Sequence, residues 1–123
     1  MKSEYTGIRR ILKAFSYSKD GFVATFKSEA AFRQDILFCL IMGVLLPFLP
    51  VRGVELAFLI FSLVLILFME LINSAIETVV DRVGEDFHPL SKKAKDIGSL
   101  LVLVAFVHWF VVWCVILIPK VLG

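Results

Sequence analysis

Two hydrophobic rhythms divide the chain. In GIRRILKAFSYSKDGFVATFKS, apolar residues return at helical spacing, so that Ile8, Ile11, Leu12, Phe15, Phe22 and Phe26 share one face while Arg10, Lys13, Tyr17 and Asp20 share the other. Lys19 lands beside the apolar stripe and reaches polar surroundings only by snorkelling. The pattern predicts an amphipathic helix over residues 6–27 that lies flat in a membrane interface. Beyond it the periodicity gives way to apolar runs at residues 36–49, 54–69 and 97–118. The first run is short for a span of ~20 residues, but residues 30–32 extend it; the last has no formally charged residue. Transmembrane helices are therefore expected at 28–49, 54–82 and 95–118, with Ser28 as the N-cap of the first. Pro47, Pro50 and Gly53 break the first connection, and Pro119 is expected to end the last helix. The fold class is an all-α membrane protein, one membrane-embedded unit over residues 1–123.

Composition agrees. Hydrophobic residues make up 59% of the 123, and mean hydropathy is +0.91, against ~45–50% apolar content in soluble domains. A net charge of +2 gives no reason to expect a nucleic-acid partner. Cys39 and Cys114 lie inside apolar runs with no CxxC and no neighbouring histidine, which favours packing over a disulfide or a metal site. The first 35 residues contain no continuous apolar h-region, so no cleaved signal peptide is expected. Basic residues cluster at Lys2, Arg9, Arg10, Lys13, Lys19, Lys27 and Arg33, and again at Arg82, Lys92, Lys93 and Lys95. By the positive-inside rule the N-terminus and the 81–96 loop are cytoplasmic, giving an N-in, C-out topology.

At the end of the second run the pattern changes character. MELINSAIETVVD, residues 69–81, places Glu70, Asn73, Glu77 and Asp81 within roughly 80° of one another on a helix whose other faces stay apolar. Helix rise puts Glu70 ~24 Å beyond Val54, near the cytoplasmic edge of a ~30 Å hydrocarbon core, with Glu77 about 10 Å further out. Glu29 precedes the first apolar run, and Lys95 and Asp96 precede the third, so three helices carry polar groups to one side of one membrane. Span-end marking accounts for Lys92, Lys93, Glu85 and Asp86. It does not account for Glu70, an ionisable group deep on a helix that continues past it.

Carboxylates and an amide oxygen are hard ligands suited to Mg²⁺. His88 and His108 stand apart, and no HExxH or cysteine cluster competes. Phosphoryl transfer needs a metal, positive charge on the phosphates and a positioned base; Lys95, Arg10 and the metal supply the positive part. The absence of GxxxxGK[ST] excludes a P-loop kinase. The residues alone point to metal-assisted chemistry on a lipid head group, with the reaction left open.

EAAFRQD (29–35), ELINSAIETVVDR (70–82) and HPLSKKAKDIGS (88–99) resemble the bacterial integral-membrane diacylglycerol kinase family, and the likeness runs from Thr6 to the last span. The resemblance implies a homotrimer in the bacterial inner membrane. It would phosphorylate diacylglycerol with MgATP to phosphatidic acid, at composite cytoplasmic-side sites shared between neighbouring subunits. It also implies that Glu70 is the catalytic base, that Asn73 orients Glu70 or the phosphate, and that Glu29 and Glu77 hold the Mg²⁺ of ATP. Lys95 would meet the ATP phosphates and Asp96 the nucleotide, which Arg10, Tyr17, Asp86, Phe87 and His88 would border. Arg33, Gln34 and Ser99, with Glu70, match the lipid-substrate side, and Asp81 a supporting acidic position. Phe87 departs from the family, whose members often carry tyrosine there; ring stacking survives that change and a hydroxyl contact does not.

Two alternatives use the same residues. The sister activity phosphorylates undecaprenol, but the RQ after EAAF and the wording of MELINSAIETVVDR favour diacylglycerol. A small oligomeric transporter or proton relay would need charges near the midplane and on both sides. Here the middles of the spans lack acids, and the outer side has only Glu55.

Overall fold

The computed structural model describes residues 4–123, so Lys2 of the N-terminal basic cluster lies outside them. Four α-helices follow in order: α1 (Gly7–Ser28), α2 (Ala30–Leu45), α3 (Val54–Val83) and α4 (Pro89–Leu122), with a 3₁₀ turn at Leu46–Phe48. There is no strand among the described residues. Among the described residues three segments are long and apolar enough to cross a membrane: Ala30–Phe48, Val54–Val83 and Pro89–Leu122.

The break between α1 and α2 falls at Glu29, whose backbone is extended (φ −115°, ψ 104°). Ser28 therefore closes α1 and is not the N-cap of the next helix, contrary to expectation. The backbone explains this: the Glu29 N–H still donates to Thr25 O at 2.9 Å, which carries the α1 ladder one residue further. The Arg33 guanidinium then donates from Nη1 to Phe26 O (2.5 Å) and Lys27 O (3.1 Å). A cation thus satisfies the last carbonyls of α1, where the helix dipole is negative. Phe22 packs edge-on against Phe32, with ring centroids 5.7 Å apart, and couples the same two helices.

Between α2 and α3 the chain turns through Pro47, at the start of the 3₁₀ turn, and Gly53, whose φ of 66° is a conformation side-chain-bearing residues rarely adopt. The far connection is shorter than the sequence suggested. α4 begins at Pro89, not at 95, and SKKAKD forms its first turns as a helix. Proline at the first helical position loses no ladder bond there, and His88 Nδ1 caps the turn by accepting from the Leu90 N–H at 3.0 Å. α4 also runs past Pro119, because a proline in the last turn removes one donor while its carbonyl still accepts from the Gly123 N–H at 2.8 Å.

α3 and α4 make the most extensive packing, with α2 against α3 and α1 reaching mainly α2. The α3–α4 pair is antiparallel, as its ion pairs show: Glu55 near the start of α3 meets Lys120 near the end of α4 (2.9 Å), and Asp81 meets Lys95 at the opposite end (2.7 Å). Midway, Trp113 Nε1 donates to Ser62 Oγ (2.9 Å), which donates to Leu59 O (2.6 Å). Leu59, Leu63 and Trp113 form the centre of the core. Cys39 and Cys114 are free thiols, and Cys39 Sγ donates to Leu63 O at 3.4 Å, a packing contact between α2 and α3. Most other large apolar side chains on the three spans face outward, as suits helices in hydrocarbon.

Candidate active site

The acidic stripe of α3 lies where that helix leaves its apolar stretch. The 30 residues of α3 span ~45 Å, longer than a ~30 Å hydrocarbon core, so one end must project. Glu70 is buried at 6% exposure, Asn73 and Glu77 are half-buried, and Asp81 is exposed. Burial thus falls along the stripe in the order in which the helix emerges.

Glu29 reaches this stripe from the α1–α2 corner. Ser74 Oγ donates to Glu29 Oε1 at 3.1 Å, across 45 residues of sequence. Glu29 and Glu77 both stand close enough to Glu70 for their charges to act on it. The carboxylates that the resemblance pairs therefore both stand in the neighbourhood of Glu70 within a single chain. Among the described residues no group of three or more acidic, histidine or cysteine side chains forms a ready-made metal cage. A magnesium ion delivered with a nucleotide is typically held by one or two carboxylates plus phosphate oxygens and water. Glu29 and Glu77 fit such a donor set: both are half-buried hard oxygen ligands on different elements.

Asn73 packs against α4 at Gly98. A Cβ on Gly98 would collide with Asn73 Oδ1, so only glycine admits the carboxamide there. Asn73 Oδ1 is itself buried against α4 without a hydrogen-bond partner.

Beyond the stripe, an open cavity of about 590 Å³ lies between the end of α3 and the start of α4. Asp81, Asp86, Phe87, His88, Lys95 and Asp96 all line it, which gathers five of the expected nucleotide-bordering residues. Glu85, Ser91 and Lys92 complete its polar wall. Lys95 is paired with Asp81, and Lys92 with Asp96 at 2.6 Å. Both pairs are largely exposed and so of small net strength, which leaves the ammonium groups free to exchange partners for phosphate. His88 has a second task as the cap of α4. Arg10 and Tyr17 are exposed on α1 and line no part of this cavity; Arg10 borders a separate depression with Phe15 and Ser18. Arg33, Gln34 and Ser99 are exposed, and the Arg33 side chain is engaged at the α1 terminus.

Two residues of the site escaped sequence reasoning. Asp35 is buried at 9% exposure, and its carboxyl lies within hydrogen-bonding reach of Glu70. Asp35 Oδ2 has no donor aimed at it. Asp35 signals itself in sequence only as the last charge before an apolar run. Ser74, four residues after Glu70 and three before Glu77, shares their flank of the helix but carries no charge to mark it.

Residues 16–117 match the model of the prokaryotic diacylglycerol kinase family. The chain is 43% identical over 117 residues to the diacylglycerol kinase of Escherichia coli strain K12, covering 95% of this chain and 96% of that one. It is 47% identical over 113 residues to the diacylglycerol kinase of Pseudomonas aeruginosa, covering 92% of each. With that of Helicobacter pylori strain 26695 it shares 42% over 107 residues, 87% of this chain and 84% of the relative. A match over nearly the whole length, on a fold that joins three apolar helices to an acidic site at one end, leaves one reading: the chain belongs to the prokaryotic diacylglycerol kinase family, and it is a kinase.

Proposed function

We propose that this protein transfers the γ-phosphoryl group of ATP to the primary hydroxyl of diacylglycerol, yielding phosphatidic acid at the cytoplasmic face of the bacterial inner membrane. The observation that carries the reading is the position of Glu70. It is a buried carboxylate on a membrane-spanning helix, about 15 Å along that helix from Val80, where a polar cavity begins, and beside two further carboxylates. A lipid's hydroxyl arrives from the hydrocarbon side and a nucleotide from water, so the reacting atoms must meet at such a boundary.

Glu70 accepts the proton of the lipid hydroxyl as its oxygen attacks the γ-phosphorus. The bond from that phosphorus to the β–γ bridging oxygen breaks, and ADP leaves with the electron pair. Glu29 and Glu77 would hold the nucleotide's Mg²⁺, which when bound would supply positive charge to the phosphate oxygens. Lys95, released from Asp81, steadies the phosphates. Asp96 and the 86–88 loop border the rest of the nucleotide, and Asn73 orients the acceptor. Arg33, Gln34 and Ser99 flank the lipid. α1 lies in the interface with Ile8, Leu12 and Phe15 toward the acyl chains, and all three are exposed in the single chain. Arg10 and Tyr17 meet a nucleotide only if α1 of one subunit approaches the cavity of another, which accords with composite sites in a homotrimer. The positive-inside count supports a cytoplasmic N-terminus and a cytoplasmic acidic end of the bundle.

The test is a reconstituted assay with labelled ATP and Mg²⁺, offering diacylglycerol and undecaprenol in parallel. Magnesium-dependent labelling of diacylglycerol is expected, and a preference for the polyprenol would overturn the substrate assignment.

A further inference from the structure

Among the described residues, most helix hydroxyls that donate a hydrogen bond turn back onto their own helix. Ser18 donates to Ala14 O, Thr25 to Gly21 O and Thr78 to Ser74 O, each bonding back to its own helix four residues earlier. Ser74 does not fold back. Its hydroxyl crosses to another element and donates to Glu29 Oε1, at 9% residue exposure. Glu29 needs such an anchor. It stands at a helix break with extended backbone, where no regular ladder fixes its side chain. The Ser74 bond is its one side-chain hydrogen bond among the described residues, leaving Oε2 without one. Arg33 clamps the backbone of the same corner from the α1 side.

We infer that Ser74 is a positioning residue: by holding Glu29 Oε1 it aims that carboxylate at the divalent cation shared with Glu77. This rests on the reading of Glu29 as a metal ligand. The chemistry suits the task, since a hydroxyl donor orients a carboxylate without cancelling its charge. Partners that orient ligating groups typically contribute 10–100-fold to metal affinity. The flank position matters as well. Ser74 lies within one turn of both Glu70 and Glu77, so the bond fixes Glu29 relative to base and second ligand together.

The experiment uses the full chain in detergent or bilayers, with Mn²⁺ titrated by electron paramagnetic resonance in the presence of a non-hydrolysable ATP analogue. Ser74→Ala should weaken Mn²⁺ binding about tenfold. It should depress activity more at limiting than at saturating metal, and Ser74→Thr, which keeps the hydroxyl, should restore most of the affinity. Glu29→Gln is titrated alongside. If Glu29→Gln loses Mn²⁺ while Ser74→Ala binds it as the unaltered protein does, the role of Ser74 is overturned and Glu29 stands. If both variants bind Mn²⁺ normally, the ligand reading of Glu29 has failed and the inference with it. A Ser74→Ala protein that unfolds more readily in sodium dodecyl sulfate at unchanged Mn²⁺ affinity would reduce Ser74 to a structural contact.

Discussion

Glu70 and Asp35 are the two buried charged side chains among the described residues, and they touch. Their pairing makes the chemistry of single atoms testable. Glu70→Gln preserves shape and removes the proton acceptor; turnover should fall by at least ~100-fold while binding of an ATP analogue is kept. Steady-state kinetics beside an analogue titration check this, and survival of most activity would transfer the base role elsewhere, with Asp35 the first candidate. Gly98 offers a steric counterpart. Its replacement by alanine drives a methyl into Asn73 and should cost about 1–3 kcal/mol of resistance to unfolding in sodium dodecyl sulfate, as overpacking does. Gly21→Ala is the control: nothing stands within 4 Å, and that helix should be modestly stabilised, by about 0.4–1 kcal/mol.

Among elements, the sequence made the helices visible and hid their junctions. Apolar runs of 14, 16 and 22 residues announce spans because hydrocarbon leaves the backbone no other partner. The start of α4 was misplaced for a different reason: lysines 92, 93 and 95 with Asp96 look like loop residues, although Pro89 and His88 supply a start signal six positions earlier. The 28/29 boundary was off by one because the deciding bond is a backbone N–H that any residue carries. Within the site, charged members were legible from spacing. Ser74 and the Asp35–Glu70 contact were not, because they depend on which face of α2 meets α3. The mid-membrane tie between α3 and α4 gives this scale its own prediction. Trp113→Phe removes the donor to Ser62 and should weaken the bundle by about 0.6 kcal/mol, the average for hydrogen bonds between membrane helices. Denaturation in sodium dodecyl sulfate measures it, and a loss several times larger would point to packing of the indole.

At the scale of the whole molecule, ionic groups segregate to the two ends of the α3–α4 pair and leave a long apolar girdle between them. One chain of this size encloses little: Arg10 and Tyr17 remain apart from the cavity that α3 and α4 form. A trimer in mild detergent, measured by light scattering with the detergent mass subtracted, is the expected state. Co-assembly of Arg10→Ala chains with Glu70→Gln chains should recover part of the activity that each lacks alone, if a site draws on two subunits.

The corner at Glu29 sets a rule about length as well as identity. A residue inserted between 30 and 35 would turn α2 by about 100° relative to everything before it, carrying Asp35 off Glu70 while Glu29 kept its post. An insertion at 50–53, where the chain already bends through proline and glycine, would change only the reach of a turn. Across bacterial lineages, gaps should therefore accumulate at the turn between α2 and α3 and be purged from the six residues after Glu29, whatever substitutions those residues tolerate.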